Sequence, residues 1–172
     1  SFIDALVWKK LQEVGITPSP VANDASFHRR AFLDILGKLP TPAETRHFLS
    51  DRDRRKRTRL VDELLNRPEY ADFWANKWAD LLQVNSKFLG AQGAGALRKY
   101  IRDAVDKNVP YDKFVHGILT ASGSTLDNPA AAYYKILRDP TEAMENTTHL
   151  FLAVRFNCNK CHDHPFERWT QD

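Results

Sequence analysis

Leu60-Val61-Asp62-Glu63-Leu64-Leu65-Asn66-Arg67-Pro68-Glu69-Tyr70-Ala71-Asp72-Phe73-Trp74-Ala75-Asn76-Lys77-Trp78-Ala79-Asp80-Leu81-Leu82 decides the fold class. Leu60, Val61, Leu64 and Leu65 recur at the spacing that lines up side chains on one face of a helix. Arg67-Pro68 ends that helix, because proline has no N–H to donate and its ring collides with the preceding turn. Tyr70, Phe73, Trp74, Trp78, Leu81 and Leu82 then resume the same period, so a second helix follows. An aromatic stripe of this kind serves core packing or the wall of a cofactor pocket.

The same punctuation extends outward in both directions. Phe2, Ile3, Leu6, Val7, Leu11 and Val14 predict a helix over residues 2–14, with Gly15 where a C-terminal cap belongs. Ile16-Thr17-Pro18-Ser19-Pro20 reads as a stiff connector. Asp24 or Ser26 then caps a helix carrying Phe27, Phe32, Leu33 and Ile35 up to Gly37. Thr41-Pro42-Ala43-Glu44 places a cap, a first-turn proline and a reciprocal glutamate in capping-box order. Beyond Leu82, residues 83–95 read as a glycine-rich loop. They are no phosphate cradle, since no strand precedes them and no Lys-Ser/Thr follows at the required spacing.

Leu97, Tyr100, Ile101 and Val105 mark a helix to about Asn108, and Tyr111 to Thr120 forms the next after Pro110. Asn128-Pro129 opens a short helix through Leu137. Pro140-Thr141-Glu142 begins the last long one, with Met144, Leu150, Phe151 and Val154 as its apolar side. No segment alternates with the period of a strand, and no repeat recurs. The expected fold is all-α: a single helical domain over residues 1–172, with about eight or nine short helices and a C-terminal Cys-x-x-Cys-His segment.

Of the 172 residues, 42% are hydrophobic, and four Trp, ten Phe and five Tyr suffice for a core. The net charge of +3 owes much to Arg52-Asp53-Arg54-Arg55-Lys56-Arg57-Thr58-Arg59, which reads as the solvated start of a helix. No groove-reading motif or interleaved aromatic accompanies it, so nucleic acid is not an expected partner. No apolar run is long enough to span a bilayer. The chain starts at Ser1 without a signal pattern, and it is expected to be a piece of a longer protein.

Chemistry concentrates in Cys158-Asn159-Lys160-Cys161-His162, which holds both cysteines of the chain. Shuffling the composition would produce this pattern roughly once in a few thousand sequences. It is the attachment pattern of c-type haem: Cys158 and Cys161 as thioether anchors, and His162 as the proximal iron ligand through Nε2, its other nitrogen held by a carbonyl or carboxylate. Haem c would make the chain an electron-transfer module serving a redox partner protein or a neighbouring domain of the same chain. Its attachment takes place outside the cytoplasm in bacteria, so a periplasmic or otherwise exported location is expected. Zinc held by Cys158, Cys161, His162 and His164 would make it a stabilised helical scaffold or interaction domain, although the adjacent Cys161 and His162 are awkward for one tetrahedral ion. A redox dithiol is the remaining reading, and it normally follows a strand.

The sixth iron position would decide between electron transfer and action on a small ligand at an open site. Met144, His149, His116, His28 and His47 are the candidates. Met144 is expected to pack in the core, His116 to be half-buried, and His28 and His47 to lie at the surface. His164 can bond a propionate, ligate a second metal or close its own turn, while Arg155, Lys160 and Arg168 can neutralise propionates. Asn146-Thr147-Thr148 matches a glycosylation acceptor but falls inside a predicted helix, and it is discounted.

Several segments together carry a family resemblance. They are Phe2-Ile3-Asp4 through Thr17-Pro18-Ser19; Arg29-Arg30-Ala31-Phe32-Leu33-Asp34-Ile35-Leu36-Gly37 with Leu39-Pro40-Thr41-Pro42; Pro68-Glu69-Tyr70 with Trp74 and Trp78; and Cys158 through Phe166 with Trp169-Thr170-Gln171. The chain resembles the planctomycete-type cytochrome-like domain of unknown function over nearly its whole length. That resemblance implies a module of large exported proteins, often beside another cytochrome-like domain, named for its haem-attachment motif. It implies no substrate.

Overall fold

A computed structural model describes residues 2–171. Their helices are α1 (Phe2–Glu13), α2 (Asp24–Leu36), α3 (Pro42–Ser50), α4 (Lys56–Leu65), α5 (Pro68–Leu81), α6 (Ser86–Asp106), α7 (Tyr111–Leu119), α8 (Ala132–Ile136) and α9 (Pro140–Leu152), with 3₁₀ turns at Pro129–Ala131 and Asn157–Lys160. No strand occurs among the described residues, as the periodicity predicts. Contacts group the chain into two units, one up to Asp62 and one from Glu63 on.

In the first unit α1 buries no residue, and its apolar positions Phe2, Leu6 and Trp8 are exposed. α2 packs on α3 through a ring stack: His28 lies 4.7 Å from Phe48 and 4.9 Å from Phe32, centroid to centroid. The α3 capping box forms as expected, with Thr41 N–H donating to Glu44 Oε2 at 2.7 Å and Glu44 N–H donating to Thr41 Oγ1 at 3.2 Å. Asn23, not Asp24 or Ser26, caps α2 by accepting from Ser26 N–H at 2.8 Å. Asp24 is drawn away by two cations of the basic run, Lys56 and Arg57, each 2.7 Å from its carboxylate. These hydrogen bonds, Lys56 foremost, hold the Asp24 carboxyl below its ordinary range. The run is therefore not merely a solvated helix start. Lys56 is largely covered, and its ammonium also donates to the Asp51 carbonyl at 2.9 Å.

His28 is buried, contrary to the surface placement expected for it, whereas His47 is exposed. Burial lowers the His28 pKa below its ordinary 6.5, and the Glu44 carboxylate opposes this only in part. Below 6.5 the unfolded chain therefore takes up a proton that the folded chain resists. The stability present above that pH is lost as the pH falls through it towards the lowered folded value. In urea unfolding between about pH 7 and pH 5, His28→Leu is expected to flatten this decline, and an unchanged slope would contradict it.

The second unit is built around α6. Leu97 and Ile101 of α6, Phe114 and Ile118 of α7, and Ala132, Tyr133 and Ile136 of α8 are all buried. α5 meets this core through Ala75 and Ala79, and Ala71, one turn earlier on the same face, is buried as well. Residues 86–95, expected to be loop, are helical apart from a kink at Gly90 (φ 69°, ψ 168°). Glycines lower helix propensity, but Leu89, Gly93 and Leu97 form one buried stripe, and burial outweighs propensity. A Cβ at Gly93 would sit 3.3 Å from Leu89 Cβ, a tight contact that glycine avoids.

Two helices of this unit end in the same way. Gln83 (φ 56°) and Asn108 (φ 47°) take left-handed conformations. Val84 and Val109 then donate back to the carbonyls of Ala79 and Ala104, both at 2.9 Å. Those six-to-one bonds, with Gln83 donating to Asp80 and Asn108 to Val105, make Schellman caps without glycine. α9 docks at the margin of the core and buries no residue fully. The buried Tyr133 hydroxyl donates to Asn146 Oδ1 at 2.9 Å, which uses the amide of the discounted glycosylation triplet.

Candidate functional site

The Cys158–His162 segment follows α9 through a left-handed residue, Ala153 (φ 57°). The backbone N–H groups of Cys161 and His162 both donate to the Cys158 carbonyl at 3.2 Å, which winds the motif into one tight turn. Both thiols are free; Cys158 is half-buried and Cys161 exposed.

The two neighbouring histidines hold their ring hydrogens in opposite ways. His162 Nδ1 lies 2.6 Å from the Asp163 carbonyl oxygen. A carbonyl only accepts, so Nδ1 carries the hydrogen and Nε2 keeps its lone pair. His164 Nδ1 instead accepts from the backbone N–H groups of Glu167 at 3.0 Å and Phe166 at 3.3 Å. Its hydrogen therefore sits on Nε2. His162 thus leaves Nε2 with a lone pair, whereas His164 closes its own turn.

Further bonds shut residues 156–171 into a loop. His164 N–H donates to the Trp169 carbonyl at 2.9 Å, Gln171 N–H to Asp163 Oδ1 at 2.9 Å, and the Asn159 amide to the Thr170 carbonyl at 2.7 Å. Phe156 meets Trp169 edge to face at 5.0 Å. Lys160 ties this loop to α9 through a 3.0 Å ion pair with Glu145, whose side chain is only 13% exposed. The hydrogen bond to Glu145 raises the Lys160 pKa, although desolvation opposes it.

The sequence-derived candidates are only partly brought together. Among the described residues no three His, Cys, Asp or Glu side chains gather as a metal site, so the set Cys158, Cys161, His162 and His164 does not converge. Met144 does not pack in the core, contrary to the expectation from its helical position. It is 44% exposed and lines a cleft of about 550 Å³ with Glu145, Phe156, Asn159, Lys160 and Trp169. His149 is exposed and borders a separate cleft of about 350 Å³ beside Asn157. His116 is exposed on α7 rather than half-buried, and His28 and His47 belong to the first unit. Arg168 lies over the Trp169 ring at 5.3 Å, and Arg155 is exposed.

Glu145 and Asp163 had not been singled out from the sequence. Glu145 forms its pair across fifteen residues with no local signal, whereas Asp163 sits in a turn-forming Asp-x-Pro setting that marks such bonds.

No curated protein and no solved structure matches the chain. A family model does, over residues 2–172. The chain belongs to the family PSCyt2, described as Protein of unknown function (DUF1549).

Proposed function

We propose that the chain is a c-type haem module for electron transfer, anchored through Cys158 and Cys161 with His162 as proximal ligand. The observation that carries this reading is the 2.6 Å bond from His162 Nδ1 to the Asp163 carbonyl, because it leaves Nε2 ready for a metal beside two free thiols. The donor set therefore fits the group. Haem, when bound, would supply one-electron chemistry; the chain's part is to anchor it, orient the imidazole and shape its surroundings. Met144 is the sixth-position candidate that lines the cleft beside the Asn157–Lys160 turn. Arg168 offers positive charge at the same cleft, where Lys160 is paired with Glu145. Zinc is less well supported, since the His164 lone pair needed for it is engaged by two backbone N–H groups. A vacant sixth position would instead make it an open-site haem acting on a small ligand. The resemblance to cytochrome-like modules supports an exported setting, with a neighbouring domain or a separate protein as electron partner.

The test is expression with a c-type maturation system, followed by visible spectroscopy and metal analysis. One equivalent of iron, with a reduced α-band that persists in denaturant, is expected. Zinc at one equivalent without iron would overturn the reading.

A further inference from the structure

A second site lies away from the cysteines. α5 meets the core through alanines, so its large aromatic residues at 70, 74 and 78 stand one position aside from the buried stripe, and all three are only half-buried. Tyr70, Trp74 and Trp78 line a cleft of about 390 Å³, with Asn108, Tyr111 and Phe114 from the α6–α7 junction among the other residues around it. Trp78 meets Phe114 edge to face at 5.1 Å and stands 6.2 Å from Tyr111. The aromatic stripe noted in the sequence is thus a cleft wall more than a core.

Its chemistry is restrictive. No lining residue is charged, so a phosphate, carboxylate or ammonium would lose its hydration there without a counter-charge. Polar groups are nevertheless present. Asn108 is exposed, and Tyr111, 53% exposed, presents a phenol. Aromatic faces suit the C–H face of a saturated ring, and the amide and hydroxyl groups of Asn108 and Tyr111 suit its hydroxyl edge. We propose that this cleft binds a neutral pyranose unit of an oligosaccharide. A plain aromatic molecule would fill the rings but make no use of the Asn108 amide and the Tyr111 hydroxyl.

The cleft shares no residue with the Cys158–His162 segment, so the proposal stands whether or not haem is attached. Its test uses the whole chain expressed without haem maturation. The four indole N–H signals are followed by nuclear magnetic resonance, and Trp74 is assigned through Trp74→Phe. Neutral oligosaccharides of glucose, mannose, galactose and xylose are titrated in turn, with a sulfated galactan and a proline-rich peptide as controls. At least one neutral sugar is expected to shift the Trp74 signal saturably. Asn108→Gly keeps the left-handed backbone while deleting the amide, and Tyr111→Ala removes an exposed ring; each is expected to weaken binding about tenfold. If no neutral sugar shifts the Trp74 signal, or only the sulfated glycan or the peptide does, the proposal fails. It also fails if both variants bind as the parent does.

Discussion

Replacing Cys158 and Cys161 together by serine is expected to abolish covalent haem, so that no haem stain remains on the denatured band after expression with a maturation system. Either single change should leave one thioether and a weaker stain. The fold itself should be indifferent: Cys161 is exposed, Cys158 is half-buried, and neither belongs to the hydrophobic core. Unfolding of the haem-free double variant should therefore follow that of the haem-free parent. His162→Ala keeps both anchors but removes the Nε2 donor, and should leave stainable haem with an altered iron spectrum. Retention of stain by the double variant would remove the thioether reading altogether.

Ile101→Ala should have the largest effect on stability. Ile101 is fully buried in the C-terminal half of α6, in one cluster with residues of α5, α7 and α8. Truncation in such a site loses both transfer energy and packing around the cavity, about 2–5 kcal/mol. The opposite error is available one helix away. Ala75 is 1% exposed on the α5 face, and leucine there would have to push the helices apart, at a cost of about 1–3 kcal/mol. Urea midpoints measure both, and the slope with denaturant should stay constant if only stability changes. A loss under 1 kcal/mol for Ile101→Ala would mean that the α6 core is not packed as described.

Much of the fold is legible in one dimension because its signals are local. The capping box at Thr41 and Glu44, the stop before Pro68 and the 3.6-residue period depend on neighbours within a turn, and each appears where it was expected. The motif at Cys158–His162 is equally local, being five consecutive residues in one turn.

Tertiary structure decided what depends on distant residues. Residues 86–95 are helical because Leu89 and Gly93 face a core that their own composition does not announce. His28 is buried by Phe48 twenty residues on, and Asp24 gives up its cap for Lys56 and Arg57. Met144 borders a cleft rather than the core, and the stripe at Tyr70, Trp74 and Trp78 lines another because alanines took the buried positions. That His162 keeps a lone pair on Nε2 while the His164 lone pair is engaged follows from hydrogen bonds made by the folded turn. Residue type and spacing thus determined most of the helices and the place of the cysteine motif. Only packing, which pairs residues far apart in the chain, decided which side chains are left open to a ligand.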